Sequence, residues 1–196
     1  MTLDAGAAGV VERQLAESAR VMRELRGQAP VILAAAASVS DSFRAGGRLY
    51  ACGNGGSACD AVHLAEELVA RYQRERPGLP AHHLIDGPTL TCWSNDYDFA
   101  GVFERQVRAM VRSGDVLVAI STSGNSPNVL RAAGAARELG AKVVGLSGRS
   151  GGELAALCHH CVRVPSGDTA RVQEGHAAVI HLLCELIEGE YFSPAP

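Results

Sequence analysis

The stretch RLYACGNGGSACDAVHLAEEL, residues 48–68, decides how this chain folds. A short apolar run stops at a glycine-rich loop, and apolar residues then return at helical spacing. The same order of strand, turn and helix recurs where DVLVAIS (115–121) precedes TSGNS, and where KVVGLSG (142–148) precedes RSGGE. Two further strands are expected at 82–85 and 160–164. The segment between Asp86 and Val111 reads as loop and helix, and 169–191 as a long final helix. Such alternation predicts an α/β fold, a five-stranded parallel sheet with helices on both faces.

Upstream, AGVVERQLAESARVMRELRG (8–27) spaces its apolar residues as an amphipathic helix closing at Gly27. An Ala-rich helix from Pro30 to Ala45 follows, with small side chains suited to close helix packing. At 196 residues and 47% hydrophobic, the chain has enough core for one domain. No run approaches the roughly 20 apolar residues of a membrane span, and the first residues lack a basic start followed by an apolar run, so a cytoplasmic protein is expected. A net charge of −3 gives little support to a nucleic-acid surface. Six cysteines without an export signal read as free thiols, with Cys52, Cys92 and Cys184 as small hydrophobes. The single lysine, Lys142, offers neither Schiff-base nor P-loop chemistry.

Ligands of open parallel sheets bind beyond the carboxyl ends of the strands, where helix N-termini present free N–H groups. Gly53, Gly55 and Gly56 let backbone approach an oxyanion, and Ser57, Ser121, Thr122, Ser123 and Ser126 add hydroxyl donors. Phosphate is the expected guest. Gly53, Gly55 and Ala58 also fit the dinucleotide pattern G-x-G-x-x-A, with Asp86 ending a later strand, but a lone match is weak and leaves the Ser-rich loop unexplained.

On the helix after GNGGS, His63 and Glu67 share a face at i and i+4, whereas Glu66 lies about 100° away and reads as a solvated charge. Gln173, His176 and His181 interrupt the apolar pattern of the last helix, and spacing does not choose between the two histidines. A polar residue embedded there needs a partner. The C-x-x-C at Cys158–Cys161, with His159 and His160 between, is set aside as a zinc or redox site, because consecutive residues in a strand point to opposite faces and no second Cys/His pair lies at suitable spacing.

CGNGGS with DAVHLAEEL, RPGLPA, SNDYDF, VFERQV, GDVLVAISTSGNSPNV and TARVQEGHAAVIHLL together resemble the phosphoheptose isomerases of the sugar isomerase (SIS) domain family, over residues 8–192. The resemblance implies a three-layer, flavodoxin-like SIS fold over 30–196, with an N-terminal helix (1–29) packed on the domain or on a neighbouring subunit. It implies cytoplasmic interconversion of sedoheptulose 7-phosphate and D-glycero-D-manno-heptose 7-phosphate through an enediol. Glu67 and His181 become the acid/base pair, and His63, Glu67, Gln173 and His181 the ligands of one zinc ion. Substrate contacts fall to Asn54, Gly55, Gly56, Ser57, Glu67, Arg71, Asn95, Asp96, Ser121, Thr122, Ser123, Ser126 and Gln173. Such enzymes are homotetramers with sites between subunits. Ala170, where some members carry an acid, and Trp93, where small residues are common, depart from the pattern at the sugar end. Related SIS proteins that bind the replication initiator lack counterparts of Glu67 and His181, and sugar-phosphate-sensing SIS domains usually accompany a further domain.

Overall fold

The computed structural model describes residues 5–192; the parts of the expected 1–29 and 30–196 segments at 1–4 and 193–196 lie outside the described residues. Helix α1 spans Ala5–Leu25 and, after a 3-10 turn at Arg26–Gln28, α2 spans Ala29–Arg44 with Pro30 in its first turn. The 3-10 turn takes in Gly27, so the first helix stops two residues before the expected glycine cap. Strand β1 (Leu49–Gly53) leads through α3 (Gly56–Val69) to β2 (Ala81–His83). Two helices, α4 (Gly87–Asp96) and α5 (Val102–Met110), occupy the stretch read as loop and helix. The chain continues as β3 (Val116–Ser121), α6 (Pro127–Glu138), β4 (Lys142–Ser147), the short α7 (Leu154–Leu157), β5 (His160–Arg163) and α8 (Thr169–Phe192).

The five strands are all parallel in the order β2-β1-β3-β4-β5. Alternate strand residues sort to opposite faces, as a period of two requires. Leu49, Ala51, Val116, Val118, Ile120, Val144 and Leu146 pack with α1, α2, α3 and α8. Tyr50, Cys52, Leu117, Ala119 and Val143 pack with α4, α5, α6 and α7. Ala35 and Ala36 of α2 are buried in this chain's own core, and α2 packs on α8. From α1, Val21 and Leu25 enter the same cluster, and Arg171 of α8 donates to the Gln14 carbonyl.

Two cysteine assignments hold and one does not. Cys52 and Cys184 are buried, but Cys92 is exposed on α4, its Sγ 3.7 Å from Asp96, because its apolar sequence neighbours face the other side of the helix. Among the described residues, no helix is long and apolar enough to cross a membrane.

The strand order fixes where a ligand can sit. β1 and β3 are neighbours, yet α3 leaves β1 toward one face and α6 leaves β3 toward the other. The crevice between their carboxyl ends is the topological switch point, the expected ligand edge of an open α/β sheet.

Candidate functional site

The loops after β1 and β3 flank that crevice. Gly55 has φ +55° and ψ −122°, a backbone open in practice only to glycine, and it turns the chain so that Ser57 N–H bonds the Asn54 carbonyl and Ala58 N–H the Gly55 carbonyl. The first N–H groups of α3 therefore face the switch point. Gly56 is pressed against α8: a Cβ there would stand 2.2 Å from Gln173 Nε2. Across the crevice, Ser121 Oγ lies 3.0 Å from Ser126 Oγ and 3.5 Å from Ser123 Oγ, a hydroxyl cluster at the start of α6. The loop after β1 is tied directly to the first turn of α6, because the side-chain amides of Asn54 and Asn128 donate to each other at 2.9 and 2.8 Å. Two helix N-termini, free N–H groups and clustered hydroxyls form a cradle suited to an anion.

Behind the cradle, the third turn of α3 meets α8. His63 Nε2 is 3.3 Å from Glu67 Oε1. The His181 ring meets His63 edge-on at 5.0 Å and stacks on Tyr72 at 5.8 Å. One donor atom from each of His63, Glu67 and His181 lies within 4.8 Å of the others, a juxtaposition of two imidazoles and a carboxylate that suits zinc. Glu66 points to solvent, as its position on the helix predicts.

The two histidines of α8 separate cleanly. His181 is exposed beside Glu67, whereas His176 is wholly buried, with neither ring nitrogen hydrogen-bonded. Its polar neighbours are the Asp60 carboxylate, with Oδ2 4.0 Å away, and the Ser147 backbone. Burial pushes the His176 imidazole down to about 4 and the Asp60 carboxyl up to about 6, so His176 is neutral at physiological pH.

Other expected contacts lie further out. Arg71 is exposed in the loop just past α3. Asn95 and Asp96 are exposed at the end of α4, where Asn95 Nδ2 donates to Asp96 Oδ1 at 2.9 Å. Gln173 packs on Gly56 two turns before His181. Asp86 spends its carboxylate capping α4 through Thr89 N–H, which removes the ribose acceptor a dinucleotide site would need.

Sequence reasoning missed the support for this site. Glu188 of α8 accepts from the backbone N–H groups of Tyr72, Gln73 and Arg74 and from Arg76 Nε at 2.7 Å. Arg76 in turn donates to the Glu67 and Leu68 carbonyls, closing the C-terminal end of α3. One buried ion pair thus fixes the loop that carries Tyr72, and with it the approach of α3 to α8. Only Tyr72's place just past α3 hinted at this.

The SIS domain family model matches residues 14–148. A phosphoheptose isomerase from Rhodospirillum rubrum is 56% identical over 161 residues, covering 82% of this chain and 86% of that protein. One from Escherichia fergusonii is 47% identical over 185 residues, covering 92% and 96% respectively. Among solved structures, a phosphoheptose isomerase from Neisseria gonorrhoeae superposes with a TM-score of 0.88 at 41% identity, covering 93% of this chain and 98% of that one.

Proposed function

The chain belongs to the phosphoheptose isomerases of the SIS domain family, and from that membership we propose that it converts sedoheptulose 7-phosphate to D-glycero-D-manno-heptose 7-phosphate through an enediol. It is an isomerase acting on a heptose phosphate. The observation that carries the finer reading is the meeting of His63, Glu67 and His181 immediately behind a cradle suited to phosphate.

The substrate phosphate sits between the loops, taking N–H groups from Gly55 and Gly56 and hydroxyls from Ser57, Ser121, Thr122, Ser123 and Ser126. Asn54, Gln173, Arg71, Asn95 and Asp96 complete the contacts to the sugar, the exposed ones across a subunit boundary. With the ring open, the Glu67 carboxylate removes a proton from C1 while O2 gains one, giving the enediol. Loss of the O1 proton then forms the C1 carbonyl, and Glu67 returns its proton to C2. His181, within reach of the same carbons, moves the proton between O1 and O2. Tyr72 and His63 hold its ring in place by stacking and edge contact.

His63, Glu67 and His181, with Gln173, would hold one zinc ion, which when bound polarises the carbonyl and supports negative charge on the enediolate oxygens. A homotetramer accords with the apolar groove between α1, α2 and α8, about 680 Å³, flanked by exposed Leu33 and Leu182. A cytoplasmic location accords with such biosynthetic chemistry.

The test is direct. Purified protein given sedoheptulose 7-phosphate is expected to form the aldose, more slowly after chelation and fully again once zinc is restored. No turnover under any of these conditions would leave a binding role for the fold instead. Gly56→Ala, which drives a methyl into Gln173, is expected to lower kcat/KM about tenfold to a hundredfold, with the melting temperature nearly unchanged. Steady-state kinetics beside a thermal melt check it.

A further inference from the structure

The C-x-x-C at Cys158–Cys161 is not arranged as strand alternation predicts. Cys158 closes α7 and precedes β5, with φ −88° and ψ 149°, whereas Cys161 lies within β5 opposite Gly145 of β4. Both side chains turn over that glycine: a Cβ on residue 145 would stand 2.5 Å from Cys158 Sγ and 3.3 Å from Cys161 Sγ. The two thiols thus share the room that the missing side chain leaves.

The intervening histidines are committed elsewhere. His159 Nδ1 accepts from Val143 N–H at 2.9 Å, and His160 Nε2 lies 2.9 Å from Ser38 Oγ. Two sulfurs are half of a tetrahedral zinc set, and among the described residues the cluster of three metal-donor side chains lies elsewhere. What remains is a dithiol with unequal members. The neighbouring Cys158 thiol and the Ser147 hydroxyl, 3.5 Å away, together with the Arg163 charge, outweigh burial and hold Cys161 below the usual cysteine value. The nearness of Cys161 and burial push Cys158 up. Cys161 also lines a surface cavity of about 320 Å³ beside Arg149 and Arg163, which gives a small oxidant access.

We propose that Cys158 and Cys161 form a peroxide-sensitive dithiol that closes to an intramolecular disulfide over Gly145. The Cys161 thiolate attacks one peroxide oxygen and the O–O bond breaks. That oxygen stays on sulfur as a sulfenic acid, and the other leaves as water after taking a proton. The Cys158 sulfur then attacks the sulfenic sulfur; the S–S bond forms, the S–O bond breaks, and a second water carries off the Cys158 proton. Two thiols and one hydrogen peroxide give one disulfide and two waters, with two electrons passing from sulfur to oxygen.

Both cysteines fall in one tryptic peptide, residues 150–163, which holds no other. The folded full-length protein is treated with hydrogen peroxide, quenched with iodoacetamide, digested and weighed by mass spectrometry. The peptide is expected to lose two hydrogens, to resist alkylation and to revert with dithiothreitol. Closure is expected before Cys59 or Cys92, both exposed, is fully oxidised, because a second thiol stands beside Cys161 to complete the disulfide. Cys158→Ser is expected to leave a sulfenic acid on Cys161 that dimedone traps, and Cys161→Ser to abolish the reaction of this peptide. A wild-type peptide still doubly alkylated once Cys59 and Cys92 have oxidised, or one bridged to another cysteine, overturns the proposal.

Discussion

Glu67→Gln is expected to reduce kcat on sedoheptulose 7-phosphate by about 10³-fold, the scale of a lost general base, while KM moves only a few-fold. The amide keeps the size and reach of the carboxylate and can still meet His63, but it cannot accept a proton from carbon. Glu67 is only partly buried and its contact with His63 is a single 3.3 Å pair, so a melting temperature close to wild type is expected. Because Glu67 also stands in the metal-suited trio, metal content is measured on the same preparation. A variant with full zinc and a thousandfold loss places Glu67 at the proton, and one that loses zinc and regains turnover in excess zinc places it at the metal. Turnover within tenfold of wild type without added zinc would remove Glu67 from the mechanism.

Glu188→Ala is expected to carry the largest cost in stability, about 3–5 kcal/mol, as for a buried ion pair broken from one side. The side chains of Arg76 and Glu188 are only 1% and 2% exposed. Truncation leaves the Arg76 charge buried and three loop N–H groups without their acceptor. For a chain of this size the loss corresponds to a fall in melting temperature of roughly 10 °C. Turnover is expected to fall as well, since Tyr72 loses its anchor over His181. The pH dependence has a definite sign. Burial alone would raise the Glu188 carboxyl, but the backbone donors and Arg76 hold it below the usual glutamate value. Its contribution is therefore complete above the unfolded pKa of about 4.3 and is lost as pH falls through the lower folded value. Denaturant melts of wild type and Glu188→Ala should differ fully at pH 7 and converge in acid. A constant gap down to about pH 3 would show that the carboxylate charge is not what the alanine removes.

Local patterns made the sheet and its ligand loops legible, because period-two strands and glycine-broken turns are properties of neighbouring residues. His63 and Glu67 were legible for the same reason: one helix places both. The choice of His181 over His176 was not, since it depends on which side of α8 meets α3. Arg76 and Glu188 stand 112 residues apart and no periodicity links them. The cysteine pair misled in the opposite direction. Alternation holds within a strand, but Cys158 stands two residues before β5, at the end of α7, and its sulfur lies back over β4. Cys92 failed through the same locality, its sequence neighbours being apolar while its own position on the helix faces water.

The paired amides of Asn54 and Asn128 join the loop after β1 to the first turn of α6 after β3, across the switch point between the two inner strands. The outer strands β2 and β5 contribute nothing to that joint. Insertions, altered turns or a disulfide at the margins of the sheet can therefore accumulate without loosening the mouth of the site.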